Sequence, residues 1–257
     1  MTPPPIPWSE IDTIFFDVGN TLVSVDFDWI AEELGARGVD ARPEALRRAE
    51  AAARPHVSEG IAHRAEKETL DTFAFYLGLV LEHLEPTREI GEGPRAELVA
   101  ELAPVLRGPG LTARLWSWML PGVPEALTAM REGGLQLAVV SNSDGSVEQS
   151  LETAGLRPYF GPVMDSFVVG HEKPDPRIFE HALEACAAHP ERTVHVGDLY
   201  AADVVGARAA GVHPVLLDPF DDWGEVDCVT LPDIRTLGER VLEARARART
   251  RAGRRKT

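Results

Sequence analysis

Short apolar segments alternate with helical segments from Pro121 onward, and this alternation leaves few folds open. The predicted strands are residues 135–140, 166–169, 193–196, 214–217 and 228–230, and the predicted helices are residues 124–132, 145–154, 176–188, 201–210 and 234–247. One further buried strand, residues 11–17, lies near the N-terminus. Strands that are apolar throughout and separated by helices predict an α/β fold with a doubly wound, mostly parallel sheet covered on both faces.

The region from residue 25 to residue 118 has a different composition, rich in Ala, Glu, Leu and Arg and poor in β-branched residues. This composition favours helices, which we predict at residues 29–37, 43–54, 62–84 and 94–106. We interpret Trp116 and the aromatic residues around Phe73 and Tyr76 as packing residues. The chain therefore divides into an α/β core domain, residues 1–24 and 119–257, and an α-helical domain, residues 25–118, inserted after the first strand.

The charge of the chain bears on its partners. The net charge is −15, yet the last 18 residues carry eight basic side chains and one acidic one, Glu243, so the rest of the chain carries −22. An acidic body of this kind repels the phosphates of nucleic acids. We therefore expect no nucleic-acid partner, and we interpret the basic C-terminal tail as a solvated helix end.

Targeting features give a simple expectation for the location of the protein. No apolar run is long enough to span a bilayer, and residues 1–8 lack the basic and apolar regions of a signal peptide. The two cysteines, Cys186 and Cys228, are too few for a disulfide framework. These observations predict a cytoplasmic protein without a membrane partner.

Polar side chains follow four of the predicted strands, directly or after a short turn. They are Asp17, the pair Ser141 and Asn142, Lys173, and Asp198 with Asp203 five residues later. In open α/β sheets ligands bind beyond the carboxyl ends of the strands, so these side chains can share one site. A carboxylate there can attack phosphorus, a hydroxyl near a helix N-terminus can hold phosphate oxygens, and a fixed ammonium can neutralise the phosphoryl group.

Each of these residues also has an ordinary structural explanation. Asp17 could be a turn residue, Ser141 lies next to a plain helix N-cap, and Lys173 could be a surface lysine in a turn. A carboxylate pair such as Asp198 and Asp203 could simply be solvated. The order of the four segments along the chain, rather than any one of them, indicates phosphate chemistry.

The ordered set resembles the motifs of the haloacid dehalogenase-like (HAD) superfamily. The matching segments are residues 16–22, 141–142, 173–174 and 197–203, and the resemblance extends over about residues 11–217. The position of the helical insertion is similar to that in members whose helical cap follows the first motif. The resemblance implies a Rossmann-like core, a cap domain and a hydrolase that acts on a small phosphorylated molecule.

The resemblance also implies roles for the catalytic and substrate-binding residues. Asp17 would be the nucleophile, and Lys173 would act beside it as the second catalytic residue. Ser141 and Lys173 would bind the phosphate, and Asn142 would add its backbone N–H.

The implied cofactor is Mg²⁺. Asp17 and Asp198 would ligate it, Gly19 would give its backbone carbonyl, and Asp203 would either touch the metal or support a ligand. Thr21 would help to fix the loop geometry.

Gly19 departs from the pattern of the phosphatases in this superfamily, which usually carry a second aspartate two residues after the first. That aspartate protonates the leaving alcohol, and general acid–base help of this kind contributes about 10²–10⁴ in rate. A magnesium-dependent phosphatase working through an aspartyl-phosphate would then favour activated phosphates or take an acid from the cap. The candidates for such an acid are Asp26, Asp28, His56, His63 and Glu66.

Two other interpretations stay open. Relatives that break carbon–halogen or carbon–phosphorus bonds also lack the second aspartate. However, the dehalogenases have an aromatic residue at the Gly19 position and need no metal, and a phosphonatase would need a cap lysine, for which Lys67 is the only choice in residues 25–118. The protein could also bind phosphate and metal without catalysis. The natural substrate and the oligomeric state cannot be read from the sequence.

Overall fold

A computed structural model describes the backbone of residues 4–64 and 72–254, and the side chains of the same residues except 63, 64, 253 and 254. Six strands form one parallel sheet in the order β5-β4-β1-β6-β7-β8, and the short strands β2 and β3 pair separately. In chain order the strands are β1 (Thr13–Phe16), β2 (Val23–Ser24), β3 (Trp118–Met119), β4 (Gln136–Ser141), β5 (Val163–Asp165), β6 (Thr193–Gly197), β7 (His213–Leu217) and β8 (Val229–Leu231). The predicted doubly wound α/β sheet is confirmed.

β1 lies at the centre of the sheet, between β4 and β6, with Phe16 opposite Val139 and Val196. Its alternate residues enter different cores, because Phe16 packs with one hydrophobic cluster and Phe15 with another on the opposite face. Both phenylalanines are fully buried. This double burial explains why the strand is apolar throughout instead of alternating, and it fixes Asp17 at the carboxyl edge of the sheet.

The helices occupy the two faces of the sheet and the inserted segment. In chain order they are α1 (Phe27–Gly35), α2 (Pro43–Arg64), α3 (Thr72–His83), α4 (Glu85–Glu89), α5 (Glu92–Leu106), α6 (Thr112–Leu115), α7 (Val123–Glu132), α8 (Val147–Thr153), α9 (Ser166–Val169), α10 (Pro176–Cys186), α11 (Val205–Ala209) and α12 (Ile234–Arg254). α7, α8 and α12 pack on one face, and α10 and α11 pack on the other. None of the helices in the described ranges is both long enough and apolar enough to cross a membrane.

Helices α1 to α6 have a hydrophobic core of their own, which includes Leu34, Leu77 and Leu102. The chain leaves the sheet through β2 and returns through β3, and these strands pair antiparallel, with Ser24 opposite Trp118. The two crossings between the sheet and the helices therefore lie side by side.

Two secondary-structure predictions are wrong. Residues 166–169 form the short helix α9 instead of a strand, because the Asp165 side chain accepts a hydrogen bond from the backbone N–H of Phe167 at 3.0 Å and caps a helix there. Phe167 and Val168 are consequently 73% and 74% exposed. The strand lies just upstream, as β5.

Helix α2 continues through Pro55 to Arg64, whereas the sequence predicted its end at Arg54. A proline inside a helix costs about 3 kcal/mol because it removes one backbone hydrogen bond and crowds the preceding turn. Here Leu46, Ala53 and Val57 lie on one buried stripe that spans the proline, and their burial holds the helix together. The prediction of a helix over residues 62–84 falls partly on residues 65–71, outside the described residues, and α3 covers its second half.

Candidate active site

Asp17 lies at the carboxyl end of β1, where its backbone N–H donates to the carbonyl of Val196 at 2.9 Å. Its Oδ1 accepts hydrogen bonds from the Ser141 hydroxyl at 2.9 Å and from the Lys173 ammonium at 2.8 Å. Ser141 reaches this position because it ends β4, which is next to β1 in the sheet. The second carboxylate oxygen, Oδ2, accepts no hydrogen bond within the described ranges, so it is available to a substrate.

Lys173 is held from both ends. Its backbone N–H donates to Asn142 Oδ1 at 2.7 Å, and its carbonyl accepts from Asn142 Nδ2 at 2.8 Å. Its ammonium is 2.7 Å from Asp203 Oδ1 as well as 2.8 Å from Asp17. Burial alone would lower the pKa of Lys173, but the two carboxylates raise it above its ordinary value, so the side chain stays charged.

Asp203 is fully engaged by the protein. Its Oδ1 accepts from Lys173 and from His195 Nε2 at 2.8 Å, and its Oδ2 accepts from the Leu199 backbone N–H at 2.9 Å. Burial would raise the pKa of Asp203, but the Lys173 ammonium and His195 hold it below its usual range. This close packing requires glycine at position 197, since a Cβ there would lie 2.1 Å from the Asp203 carboxyl carbon.

His195 lies in the middle of β6, with no exposed surface. Burial lowers the pKa of its imidazole, and Nδ1 has no hydrogen-bond partner among the described residues. In a neutral imidazole one nitrogen carries the proton, and here Nε2 faces the ionised Asp203 carboxylate, so Nε2 carries it. His195 is therefore a fixed donor to Asp203.

Asp198 follows β6 and is 3% exposed, yet its Oδ2 has no hydrogen-bond partner in the described part of the chain. The nearest cation is the Arg54 guanidinium on α2, with Nε 3.6 Å away, and that arginine is itself paired with buried Glu50 at 2.7 Å. Burial raises the pKa of Asp198 well above its ordinary value, and neighbouring Asp17 adds to the rise. A desolvated carboxylate oxygen of this kind is costly without a partner and favours a cation.

A cavity of about 990 Å³ connects the sheet edge to the inserted helices. The sheet edge contributes Asp17, Ser141, Lys173, Asp198 and Asp203, and the helices contribute the apolar side chains of Val57, Ile61, Phe73, Tyr76 and Trp116. The site thus combines charged groups at one end with an apolar wall opposite them, which suits a small molecule with a polar reacting group.

Trp116 faces the position where the sequence departs from the phosphatase pattern. A Cβ added to Gly19 would lie 3.2 Å from Cζ3 of this indole, closer than an ordinary contact. Trp116 does pack against Tyr76, with ring centroids 6.1 Å apart, as expected from the sequence, but it also lines the cavity. The space beside Asp17 that a longer side chain would need is therefore taken by an aromatic ring.

The loop after Asp17 contains Asn20 and Thr21. Asn20, with φ of 51°, accepts a hydrogen bond from the Ser24 hydroxyl at 2.6 Å and so shapes the loop after Asp17. Thr21 is buried, and its hydroxyl has no partner among the described residues.

The structure separates the described acid candidates from the cavity. Asp26 caps α1 through the backbone N–H of Trp29 at 2.9 Å, Asp28 is exposed, and His56 stacks on His83 at the surface. None of these three acids lines the cavity. The side chain of His63 and all of Glu66 and Lys67 lie outside the described residues.

Two residues at this site, Arg54 and His195, had no assigned role in the sequence analysis, and a third, Trp116, was interpreted only as a packing residue. His195 could have been noticed, because a histidine within an otherwise apolar strand is unusual. Arg54 and Trp116 gave no such signal, since their relevance depends on where the inserted helices dock.

Solved structures with the same fold include a HAD phosphatase from Thermococcus onnurineus, with a TM-score of 0.56 and 20% sequence identity, covering 91% of this chain and 99% of that one. The HAD-hydrolase YfnB from Bacillus subtilis, solved with magnesium bound, has a TM-score of 0.59 and 18% identity, covering 90% of this chain and 98% of that one. These similarities show the fold.

Sequence relatives are more informative. Haloacid dehalogenase-like hydrolase domain-containing protein 3 from Homo sapiens is 32% identical over 221 residues, 82% of this chain and 85% of that protein. The phosphoglycolate phosphatase of Nitrosospira multiformis is 32% identical over 169 residues, 62% of this chain and 74% of that protein. The phosphoserine phosphatase of Thermus thermophilus is 43% identical over 102 residues, 38% of this chain and 41% of that protein.

A family model for haloacid dehalogenase-like hydrolases matches residues 11–211, well over half of the chain. The matched range contains all four segments on which the resemblance was based. The chain therefore belongs to the haloacid dehalogenase-like hydrolase family.

Proposed function

We propose that this hydrolase cleaves phosphate monoesters of small metabolites, with Asp17 as the nucleophile and Mg²⁺ as the cofactor. The observation that carries the proposal is the environment of Asp17. Ser141 and Lys173 both bind Oδ1 of its carboxylate, which leaves Oδ2 free at the cavity wall. The phosphatases among the sequence relatives support phosphate esters as the substrate class.

Mg²⁺ fits the donor set, because it prefers oxygen ligands and keeps several waters. The Oδ2 of Asp198 is buried and has no hydrogen bond among the described residues, and this is the strongest indication of a cation. In the described part of the chain no three His, Cys, Asp or Glu side chains converge as a metal site. We propose that Asp17, Asp198 and the backbone carbonyl of Gly19 would hold the ion. When bound, the ion would neutralise charge on the transferring phosphoryl group.

Asp203 fits a supporting role better than the direct metal contact that the sequence allowed. Both of its oxygens already accept hydrogen bonds from Lys173, His195 or the Leu199 backbone. We propose that Asp203 holds the ammonium of Lys173 against the reacting carboxylate.

In the first step, Lys173 and Ser141 would bind phosphate oxygens, together with the backbone N–H of Asn142. Asp17 Oδ2 would attack phosphorus in line, forming the aspartyl-phosphate while the ester P–O bond breaks and its electron pair leaves with the alcohol oxygen. Water would then attack phosphorus while the P–O bond to Asp17 breaks and its electron pair returns to the carboxylate. The proton that the water loses would neutralise the departed alkoxide, which leaves the alcohol, inorganic phosphate and a restored Asp17. Gly19 supplies no acid for the departing oxygen, so leaving groups that are stable as anions should react fastest.

We further propose that residues 25–118 act as a cap on a core made of residues 1–24 and 119–257. The separate hydrophobic core of the inserted helices and the β2–β3 pair at both crossings support this division. A cap that closes would exclude bulk water from the aspartyl-phosphate. We also propose a cytoplasmic location, which the two buried free cysteines support.

The test is phosphate release from p-nitrophenyl phosphate and from acetyl phosphate, with Mg²⁺ and with EDTA. We expect metal-dependent release by the wild type and none by Asp17→Asn, together with a phosphoenzyme adduct visible by intact mass. Release that survives in Asp17→Asn would refute the assigned nucleophile. No release from either compound would refute the phosphatase, and 2-haloacids and phosphonoacetaldehyde would then test the carbon–halogen and carbon–phosphorus alternatives.

A further inference from the structure

Arg107 lies directly after α5 and lines the same cavity as Asp17. Among the described lining residues it and Lys173 are the two cationic side chains, and Lys173 is committed to Asp17 and Asp203. The Arg107 guanidinium lies 5.8 Å from the centroid of the Phe73 ring, and its side chain is 39% exposed. It is thus a cation placed on the cap side of the cavity, facing the charged sheet edge.

Arg107 forms one ion pair and leaves most of its hydrogen-bond donors without a partner among the described residues. Its nearest carboxylate oxygen, Asp144 Oδ2, is 3.5 Å from Nη2, and its guanidinium makes no hydrogen bond within the described ranges. Asp144 forms an ion pair with this arginine, and it also accepts hydrogen bonds from Ser146 at 2.6 Å and from Thr112 at 3.4 Å, so it would keep these partners if Arg107 turned to a ligand. A guanidinium has five N–H donors in a planar fork, so Arg107 can bind an anionic group of a ligand.

The position of Arg107 suits the far end of a substrate whose phosphate lies at Asp17. Asp144 comes three residues after Ser141, and three residues span at most about 11 Å. Ser141 touches Asp17, and Asp144 lies beside Arg107. The backbone positions that carry the two ends of the site therefore lie at most about 11 Å apart, a distance that a small molecule can span.

We propose that Arg107 determines specificity by binding a carboxylate of the substrate, so that the enzyme acts on small phosphorylated carboxylic acids. This inference rests on the phosphatase function proposed above. A carboxylate carries one charge and matches the planar fork of one arginine. A second phosphate would carry nearly two charges and would therefore meet more repulsion from Asp144 than a carboxylate, which suits this position better.

The experiment compares substrates that differ in the carboxylate, such as 3-phosphoglycerate against glycerol 1-phosphate, and phosphoglycolate against ethyl phosphate. The proteins are the wild type, Arg107→Met, Arg107→Glu and the control Arg114→Met. Arg114 also stacks on an aromatic ring of the inserted helices, 4.0 Å from the centroid of Trp29, but it does not line the cavity.

We expect the wild type to favour the carboxylate member of each pair by about tenfold or more in kcat/KM, mainly through a lower KM. This factor is the size expected for hydrogen bonds between charged groups. Arg107→Met should abolish the preference, and Arg114→Met should retain it. Arg107→Glu should lose the preference and gain activity on a further compound, phosphoethanolamine, which carries an ammonium in place of the carboxylate. Hydrolysis of p-nitrophenyl phosphate without any preference between paired substrates would overturn the inference but not the proposed function.

Binding provides a second measurement that does not need turnover. Calorimetry with Asp17→Asn and Mg²⁺ should show tighter binding of 3-phosphoglycerate than of glycerol 1-phosphate, and adding Arg107→Met should remove the difference. If p-nitrophenyl phosphate is not hydrolysed but this difference is found, the phosphatase is refuted and the Arg107 site stands. Equal binding of the two compounds would overturn the Arg107 site.

Discussion

Replacing Gly19 with aspartate would restore the group that usually protonates the leaving alcohol in this family, but the structure limits what this single change can achieve. General acid catalysis is worth about 10²–10⁴ in rate, or about 3–5 kcal/mol. The new Cβ would lie 3.2 Å from Cζ3 of Trp116. Ordinary carbon contacts begin at about 3.5 Å, so the indole or the Asp17 loop has to shift, and such overpacking costs about 1–3 kcal/mol.

Because part of the catalytic gain is offset, Gly19→Asp alone should raise turnover only modestly. Trp116→Phe keeps an aromatic side chain against Tyr76 but removes the outer indole ring, including the atoms nearest to Gly19. We therefore expect the double variant to exceed Gly19→Asp by about tenfold in kcat for glycerol 1-phosphate, which matches the lower part of the overpacking range. Trp116→Phe alone supplies no acid and should not produce this gain.

The assay is a double-mutant cycle of four proteins, each measured with glycerol 1-phosphate and with p-nitrophenyl phosphate. A poor alkoxide leaving group needs the acid, whereas p-nitrophenolate leaves unaided, so the p-nitrophenyl phosphate rates should agree within about threefold. Thermal unfolding of each variant controls for misfolding. Equal rates for the single and double variants would refute the steric argument, and an equal gain on both substrates would refute the leaving-group argument.

Three further predictions concern Lys173, the proposed Mg²⁺ site and His195. Lys173→Met should abolish turnover, because it leaves the Asp17 and Asp203 carboxylates buried without their cation. The same loss should destabilise the fold by about 3–5 kcal/mol in urea unfolding. In the wild type, the raised pKa of Lys173 means that this group should cause no loss of rate below about pH 10 in the pH–rate profile. Mg²⁺ at about 100 times its Kd should stabilise the wild type by about 2.7 kcal/mol in thermal unfolding, and Asp198→Asn should lose most of this shift. His195→Leu should lower kcat for p-nitrophenyl phosphate more than it raises KM, and His195→Gln, whose amide N–H can replace the Nε2 donor to Asp203, should recover much of the loss; equal damage by both would mean that the ring only fills space.

The fold could be predicted where burial decides the local pattern. β1 and β6 are apolar because helices cover both faces of the sheet, and the sequence locates them to within a few residues. The prediction failed at residues 166–169, where a side-chain cap overrides β-branched composition, and at Pro55, where a buried stripe keeps the helix intact. The deciding interaction is one side-chain cap in the first place and the burial of a helix stripe in the second, and composition reveals neither.

The sheet edge of the candidate site could be predicted for a related reason. Asp17 and Ser141 end neighbouring parallel strands, so the topology alone brings them together. Arg54, Arg107 and Trp116 could not be assigned, because they come from the inserted helices. Their positions relative to the sheet follow from the docking of two hydrophobic cores, which leaves no periodic signal in the sequence.

The summed charge of the site, rather than any single residue, gives a reason to expect a divalent cation. Asp17, Asp198 and Asp203 contribute three buried carboxylates, while Lys173 supplies one positive charge. Arg54 is compensated by Glu50. Among the described residues, these groups leave an excess of two negative charges, which is the charge that one Mg²⁺ would neutralise. Burial and the like charges of Asp17 and Asp203 favour the protonated acid at Asp198 and raise its pKa. We therefore expect Mg²⁺ binding to release a proton, which calorimetry in buffers of different ionisation enthalpy would measure.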